Sequence, residues 1–290
     1  MRAFFFGLGF SSQAAALALK TAEPGISISG TVRTPEKADA LAASADHVHL
    51  FDGTAPGPTL GPDLQQASHL ILSIAPGTDG DPALLQHRAD LEAAQNLQWL
   101  CYYSTVGVYG DFGGNWIDET APLVPRNQRS DRRLSAEQAW RNYAARRGVP
   151  LTILRLAGIY GPGRSAFDKL RDGTAHRIVK PDQVFNRIHV ADIGRVTALA
   201  ARQRLDGTFN LADDEPAAPQ DLVTHAAKLF GVEPPPAIDF DTADLTPMQR
   251  SFYADNKRVS NAAIKRALGI ELLYPNYRTG LAAILESEQP

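Results

Sequence analysis

One cysteine, Cys101, and two methionines stand among 290 residues. A lone thiol excludes an intrachain disulfide, which fits folding in a reducing cytoplasm. Set in the apolar run 97–103, with no acid or base motif beside it, Cys101 reads as a buried strand residue rather than a nucleophile. An excess of charge of one sign is also lacking. The formal net charge is −3, from 29 basic and 32 acidic side chains, so nucleic acid is not expected as an obligatory partner, since phosphate neutralisation needs clustered Lys and Arg. No uninterrupted apolar run is long enough for a membrane span. The nearest, from Ala3 to Leu19 behind Arg2, imitates a secretory signal but contains Gly7, Gly9, Ser11, Ser12 and Gln13. Those residues have a better use in a folded chain, so the segment is expected to be retained and no membrane partner is expected.

What is present is an ordinary globular composition, 44% hydrophobic and 21% charged, enough to bury a large core. Short apolar runs at 3–6, 26–32, 48–51, 70–74, 97–103 and 151–156 read as strands. Helical spacing at 12–20, 35–43, 82–94 and 133–147 lies between them, with Pro35 at a first helical turn. This alternation requires right-handed crossovers and a mostly parallel sheet covered on both faces. After Leu156 the rhythm breaks. Residues 161–186 and 214–276 are rich in Pro, Gly and charge, whereas 189–203 reads as a further helix and 208–211 as a strand. The expected class is therefore α/β, a Rossmann-type doubly wound parallel sheet with a small discontinuous C-terminal substrate lobe. A nucleotide domain is expected over 1–160 with 187–213, and the lobe over 161–186 and 214–290.

The stretch Phe4-Phe5-Phe6-Gly7-Leu8-Gly9-Phe10-Ser11-Ser12 has the order strand, tight turn, helix start. Gly7 permits the turn, Gly9 lets a pyrophosphate approach the backbone, and the helix start offers N–H groups and the positive end of a dipole. The third glycine of the fingerprint is missing. Ser12 stands there, a small residue for helix-strand packing, and Ser11 or Ser12 could also donate to a phosphate. The acid that binds ribose hydroxyls in NAD sites is missing as well. Val32 is followed by Arg33 and Thr34, with Lys37 a turn later, a pattern that favours the 2′-phosphate of NADP(H) over NAD(H). The alternative is a solvated arginine at a strand end. Asp52 either meets the adenine amine or caps a turn, and Ala75 and Pro76 after the fourth strand would pass along the cofactor.

Four ordered stretches carry a family likeness. Thr105-Val-Gly-Val-Tyr109-Gly110, Ile153 to Arg164, Arg187 to Asp192 and Phe209 to Asp213 resemble the signatures of the NAD-dependent epimerase/dehydratase group of extended short-chain dehydrogenases/reductases. The resemblance implies about seven sheet strands, an NAD(P) cofactor, a small-molecule substrate such as a sugar-nucleotide and, commonly, a homodimer. It also implies a Ser or Thr with a Tyr-x-x-x-Lys pair for proton exchange during hydride transfer. Thr105 matches the hydroxyl position. Counting back from Ala136 and Glu137, the tyrosine and lysine positions fall on Arg129 and Arg133, and arginine cannot titrate near neutrality. Tyr109 and Tyr160 are the remaining proton-exchange candidates, with packing or substrate stacking as the alternative for each. Arg129, Arg133 and Arg164 either clamp an anionic substrate or form a solvated basic face. Two functions stay open: an oxidoreductase, epimerase or dehydratase, and a redox sensor that distinguishes NADP from NADPH without turnover.

Overall fold

The computed structural model describes residues 1–288. Strand and helix alternate through β1 (Arg2–Phe6), α1 (Phe10–Ala22), β2 (Ser27–Val32), α2 (Pro35–Leu41), β3 (His47–Leu50), α3 (Gly61–Gln66), β4 (His69–Leu72), α4 (Pro82–Gln86), α5 (Arg88–Ala93) and β5 (Trp99–Thr105). Next come β6 (Trp116–Ile117), α6 (Gln128–Arg147), β7 (Leu151–Leu156), β8 (Gly158–Tyr160), α7 (Ala166–Arg171), β9 (Arg177–Val179), β10 (Arg187–His189), α8 (Val190–Gln203) and β11 (Gly207–Leu211). The chain finishes with α9 (Pro219–Phe230), β12 (Ala237–Asp239), α10 (Pro247–Phe252), β13 (Arg258–Val259), α11 (Ala262–Leu268) and α12 (Tyr277–Ser287).

Seven strands form the main sheet in the order β3-β2-β1-β4-β5-β7-β11. The pairs β1–β2, β1–β4, β2–β3 and β4–β5 are parallel, and the helices between them supply the crossovers that parallel neighbours need. Covered on both faces, the strands read as nearly continuous apolar runs, with Phe4, Phe5, Phe6, Leu70, Ile71, Leu72, Leu100 and Tyr102 all buried. Strand order reverses at β1, which lies between β2 and β4. That reversal is the switch point beyond whose carboxyl ends doubly wound sheets bind ligands.

The chain divides into two compact units: residues 1–108, 127–155 and 193–209, and residues 109–126, 156–192 and 210 onward. The first is smaller than the domain expected from the sequence, because 109–126, 156–160, 187–192 and 210–213 group with the second. The loop after β5 shows why. Phe112 and Gly114 donate their amides to Asn256 O (2.9 and 3.0 Å), Lys257 Nζ donates to Gly110 O (2.6 Å), and β6 pairs with β13.

Local chemistry sets the helix limits. In α1 the residues Ser12, Ala15, Ala16 and Leu19 form a buried stripe at helical spacing. The start of α8 approaches α1 so closely that a Cβ on Gly194 would lie 2.5 Å from Ala14 O, which only glycine permits. The helix expected from residue 133 begins at 128, because the Asn127 side chain accepts the Ser130 amide at 2.9 Å. It ends where Gly148 turns left-handed, at φ 63°. The single helix expected over 82–94 is two, broken at His87, whose ring bonds Asp90 (3.0 Å) at the start of α5.

Candidate functional site

All the expected cofactor residues belong to the first unit, and four of them build the turn at the end of β1. Gly7 adopts φ +95°, and a Cβ there would lie 2.8 Å from Ser73 Oγ and 2.9 Å from Ile74 Cγ2. Its amide donates to Thr31 Oγ1 (2.9 Å) and that of Leu8 to Thr31 O (2.7 Å), which ties the turn to the end of β2. Gly9 precedes α1 with no side-chain cap, and a Cβ added to it would meet nothing within 4 Å. The turn therefore leaves open space where a phosphate must come close to the backbone. The ladder of α1 starts only at Gln13, whose N–H donates to Gly9 O (2.9 Å), so the first turn, from Phe10 through Ser11, presents its amides and dipole to that space. Ser12 has a different part. It is buried, and its Oγ donates to Ser73 Oγ (2.9 Å), which donates in turn to Gly7 O (2.7 Å). The serine fills the close-packing role of the missing glycine, which corrects the expectation that its hydroxyl could serve a phosphate.

Arg33, Thr34 and Lys37 are exposed immediately beyond β2 and on the first turn of α2. Glu36, on the same turn of α2, bonds its own amide and the Thr34 hydroxyl, which lower its pKa. Asp52 has a turn-capping contact: its Oδ1 accepts from the Thr54 amide (2.8 Å) and hydroxyl (2.7 Å), and its pKa is lowered by these bonds. Ala75 is exposed and Pro76 half-buried in the loop after β4.

The basic residues on α6 differ from one another. Arg129, its second residue, is exposed. Arg133 is a strut. Its Nη1 donates to Ile74 O (3.2 Å), Tyr103 O (2.8 Å) and Tyr102 Oη (3.2 Å), and its guanidinium lies 5.5 Å from the centre of the Tyr102 ring. It joins the ends of β4 and β5, which corrects its reading as a substrate clamp through that nitrogen. Arg164, in the second unit, is exposed beside a tight turn closed by paired backbone bonds with Gly161 (3.0 and 3.2 Å).

The three hydroxyl candidates also separate. Thr105, half-buried at the end of β5, accepts the Gly107 amide (3.1 Å) and keeps its own proton to donate. Tyr109 is fully buried, and its hydroxyl donates to Asn210 Oδ1 (2.7 Å). Asn210 is held by Glu119 Oε1 (2.7 Å) and Ser260 O (3.2 Å). Tyr160 is 7% exposed, packed edge-on against His189 with ring centres 5.2 Å apart. Burial pushes its pKa up, and Asp213 and Asp192 add to the shift. Both tyrosines are core residues of the second unit, as the packing alternative expects, and for Tyr160 burial disfavours the ionised form that acid-base exchange needs.

Several participants were missed. Glu137 is wholly buried on α6 and accepts Ser104 Oγ (2.5 Å), Arg155 Nε (3.2 Å) and Nη2 (2.9 Å), and Arg141 Nη2 (3.0 Å), anchoring the helix to β5 and β7. Asp192 accepts the Leu273 (2.7 Å) and Tyr274 (3.0 Å) amides, and the His189 ring lies tilted against that of Tyr274, with centres 4.1 Å apart. Burial lowers the His189 pKa to about 4 and, against the pull of Arg187, raises that of Asp213 to about 8. The only sequence signal for Asp192 and His189 was their place in a family signature. Among the described residues no helix is long and apolar enough to cross a membrane, and no cluster of His, Cys, Asp or Glu is arranged to hold a metal ion.

Comparison with known proteins agrees with the fold. Residues 87–212 match the NAD dependent epimerase/dehydratase family. A functionally unknown conserved protein from Silicibacter pomeroyi is 45% identical over 99% of this chain and 98% of its own, with a TM-score of 0.89. Protein YeeZ of Escherichia coli is 27% identical over 221 residues, 73% of this chain and 74% of that one. UDP-glucuronic acid 4-epimerase from Bacillus cereus, solved with NAD, shares the fold over the whole of both chains at 17% identity and a TM-score of 0.75.

Proposed function

Since residues 87–212 match the NAD dependent epimerase/dehydratase family, we propose that the protein binds NADP(H) in preference to NAD(H) and acts as an epimerase, dehydratase or reductase. Its substrate class is a sugar-nucleotide or a similarly polyhydroxylated small molecule. The observation that carries the cofactor reading is the β1–α1 turn: Gly7 held at positive φ, open space at Gly9, and a helix start facing it. Arg33, Thr34 and Lys37 supply the 2′-phosphate side, with no carboxylate at Val32. Asp52, Ala75 and Pro76 follow the rest of the cofactor. When bound, the nicotinamide supplies the hydride chemistry.

The protein's own residues then bind and orient. Thr105 directs a substrate hydroxyl through its remaining proton. Arg129 attracts an anionic group on the substrate, and Arg133 holds the ends of β4 and β5 in place. Burial of the Tyr109 and Tyr160 hydroxyls argues against a tyrosinate from either as the proton-exchanging group. Burial of those two hydroxyls also favours a second reading, a redox sensor that binds NADP and NADPH with different affinities and turns nothing over.

Calorimetric titration of both cofactors into the native protein and Arg33→Ala tests the preference. NADP(H) should bind about tenfold or more tightly, and the variant should lose most of that margin, as expected when a charge-assisted phosphate contact is removed. Equal native affinities would refute it. Turnover on a sugar-nucleotide panel supports the enzyme reading, whereas unequal NADP and NADPH binding with no turnover supports the sensor.

A further inference from the structure

A second place in the chain has the makings of a binding site, independent of the nucleotide turn. In the second unit, an open hollow of about 400 Å³ lies on the paired strands β6 and β13, with Phe112, Trp116, Ile117, Asp118, Thr120 and Ser260 on its walls. The volume falls within the range of small-molecule sites, about 300–1,000 Å³. Its frame is held by backbone bonds: Arg258 donates to Asn115 O (2.9 Å) and Ser260 to Ile117 O (2.8 Å). Of the three tryptophans, Trp99 and Trp140 are entirely buried, whereas Trp116 is 58% exposed. A large aromatic face thus stands in water above a preformed recess.

The polar groups around that face are few and partly committed. Asp118 Oδ1 accepts from the Thr120 amide (2.9 Å) and hydroxyl (2.6 Å), which fixes the carboxylate and leaves Oδ2 with acceptor capacity. These bonds, with a smaller contribution from Arg266, lower the Asp118 pKa, so the group is charged at neutral pH. Thr120 Oγ1, having donated, can still accept. Ser260 Oγ accepts the Ala262 amide (3.3 Å) and keeps a proton to donate. The hollow therefore offers acceptors and a donor beside an aromatic plane. A purely apolar guest would leave these groups unsatisfied, and an anion would face the carboxylate.

We propose that this hollow binds a neutral hydroxylated ring, a pyranose unit, stacked on Trp116 and hydrogen-bonded to Asp118, Thr120 and Ser260. A pyranose has a C–H face for the indole, and its hydroxyls donate and accept alike. The site is weak and millimolar, as suits an open recess with one stacking face.

Its test uses the full chain and the methyl glycosides of glucose and galactose, with glucose 6-phosphate as the charged arm. Because Trp116 is the one exposed indole, saturable protection of the tryptophan emission from acrylamide quenching reports occupancy there. Calorimetry should show an affinity loss of about tenfold in Trp116→Ala, and a smaller one in Asp118→Asn. Both variants should keep the native NADP(H) affinity, which separates this site from the cofactor turn. Glucose 6-phosphate should bind less tightly than the methyl glucoside. The proposal is overturned if no neutral glycoside gives saturable protection in the millimolar range, if both variants bind as the native protein does, or if the phosphorylated sugar binds more tightly.

Discussion

Replacing Glu137 with alanine should destabilise the first unit by about 3–5 kcal/mol, the range for removing one member of a buried ion pair. The figure follows from where the charges lie. Glu137 is wholly buried and Arg155 is 3% exposed, so no water replaces the two bonds that Arg155 makes to the carboxylate. Ser104 Oγ loses its acceptor at the same time. Arg141 is 33% exposed, and its part of the network is screened and adds little. Glu137→Gln keeps the shape and one acceptor, and should cost about 1.5–3 kcal/mol, the value of hydrogen bonds to a charged group. The joint change Glu137→Met with Arg155→Met should recover most of the alanine loss, because an apolar pair carries no desolvation penalty. Urea denaturation followed by tryptophan emission reads this unit directly, since Trp99 and Trp140 are both in it and fully buried. A Glu137→Ala midpoint within about 1 kcal/mol of the native value, at unchanged m, would refute the reasoning. The same helix bears Arg129 and Arg133, so the network also positions the candidate site.

Other expectations concern the buried tyrosines and the response to pH. Tyr109→Phe leaves Asn210 Oδ1 without its donor and should cost about 1–3 kcal/mol. Tyr160→Phe removes only a long 3.5 Å contact to Asn276 O and should cost less. Neither change should reduce any turnover by the two or more orders of magnitude expected for an acid-base group; a loss of that size in either variant would restore it to the chemistry. His69 and His189, whose pKa values burial lowers to about 4, are neutral when folded and titrate near 6.5 when unfolded. Below pH 6.5 the unfolded chain binds more protons, so stability should fall between about pH 6.5 and 4. Asp213 has the opposite sign. Its folded pKa of about 8 exceeds the ordinary 3.8, so the folded chain holds the extra proton and stability should decline as pH rises from about 4 to 8. Asp213→Asn should flatten that decline in a thermal-melting series, and an unchanged slope would show that the group titrates normally.

Periodicity and turn chemistry are local properties, and they determined a large part of this protein. The run 3–6 followed by Gly7 and Gly9 identified the central strand and the tight turn after it, since φ of +95° at Gly7 and an uncapped Gly9 are demands on single residues. Alternating apolar runs and helical spacing established the doubly wound sheet, and Arg33 beyond β2 is visible wherever the strand end is. Ser12 was legible only as a small residue. Its choice between phosphate and packing depended on Ser73, 61 residues away. The tyrosines show the limit more sharply. Sequence places Tyr109 and Tyr160 beside glycine turns in family signatures, but the side-chain environment is decided by partners 101 and 116 residues further along the chain. The same holds for Arg133, which finds Ile74 O and Tyr103 O across the sheet, and for Glu137, whose buried side chain finds its partners only because Ser104 and Arg155 arrive from two other strands. Backbone conformation is set by neighbours in sequence, whereas burial and the pairing of polar groups are set by neighbours in space, and only the tertiary fold brings those together.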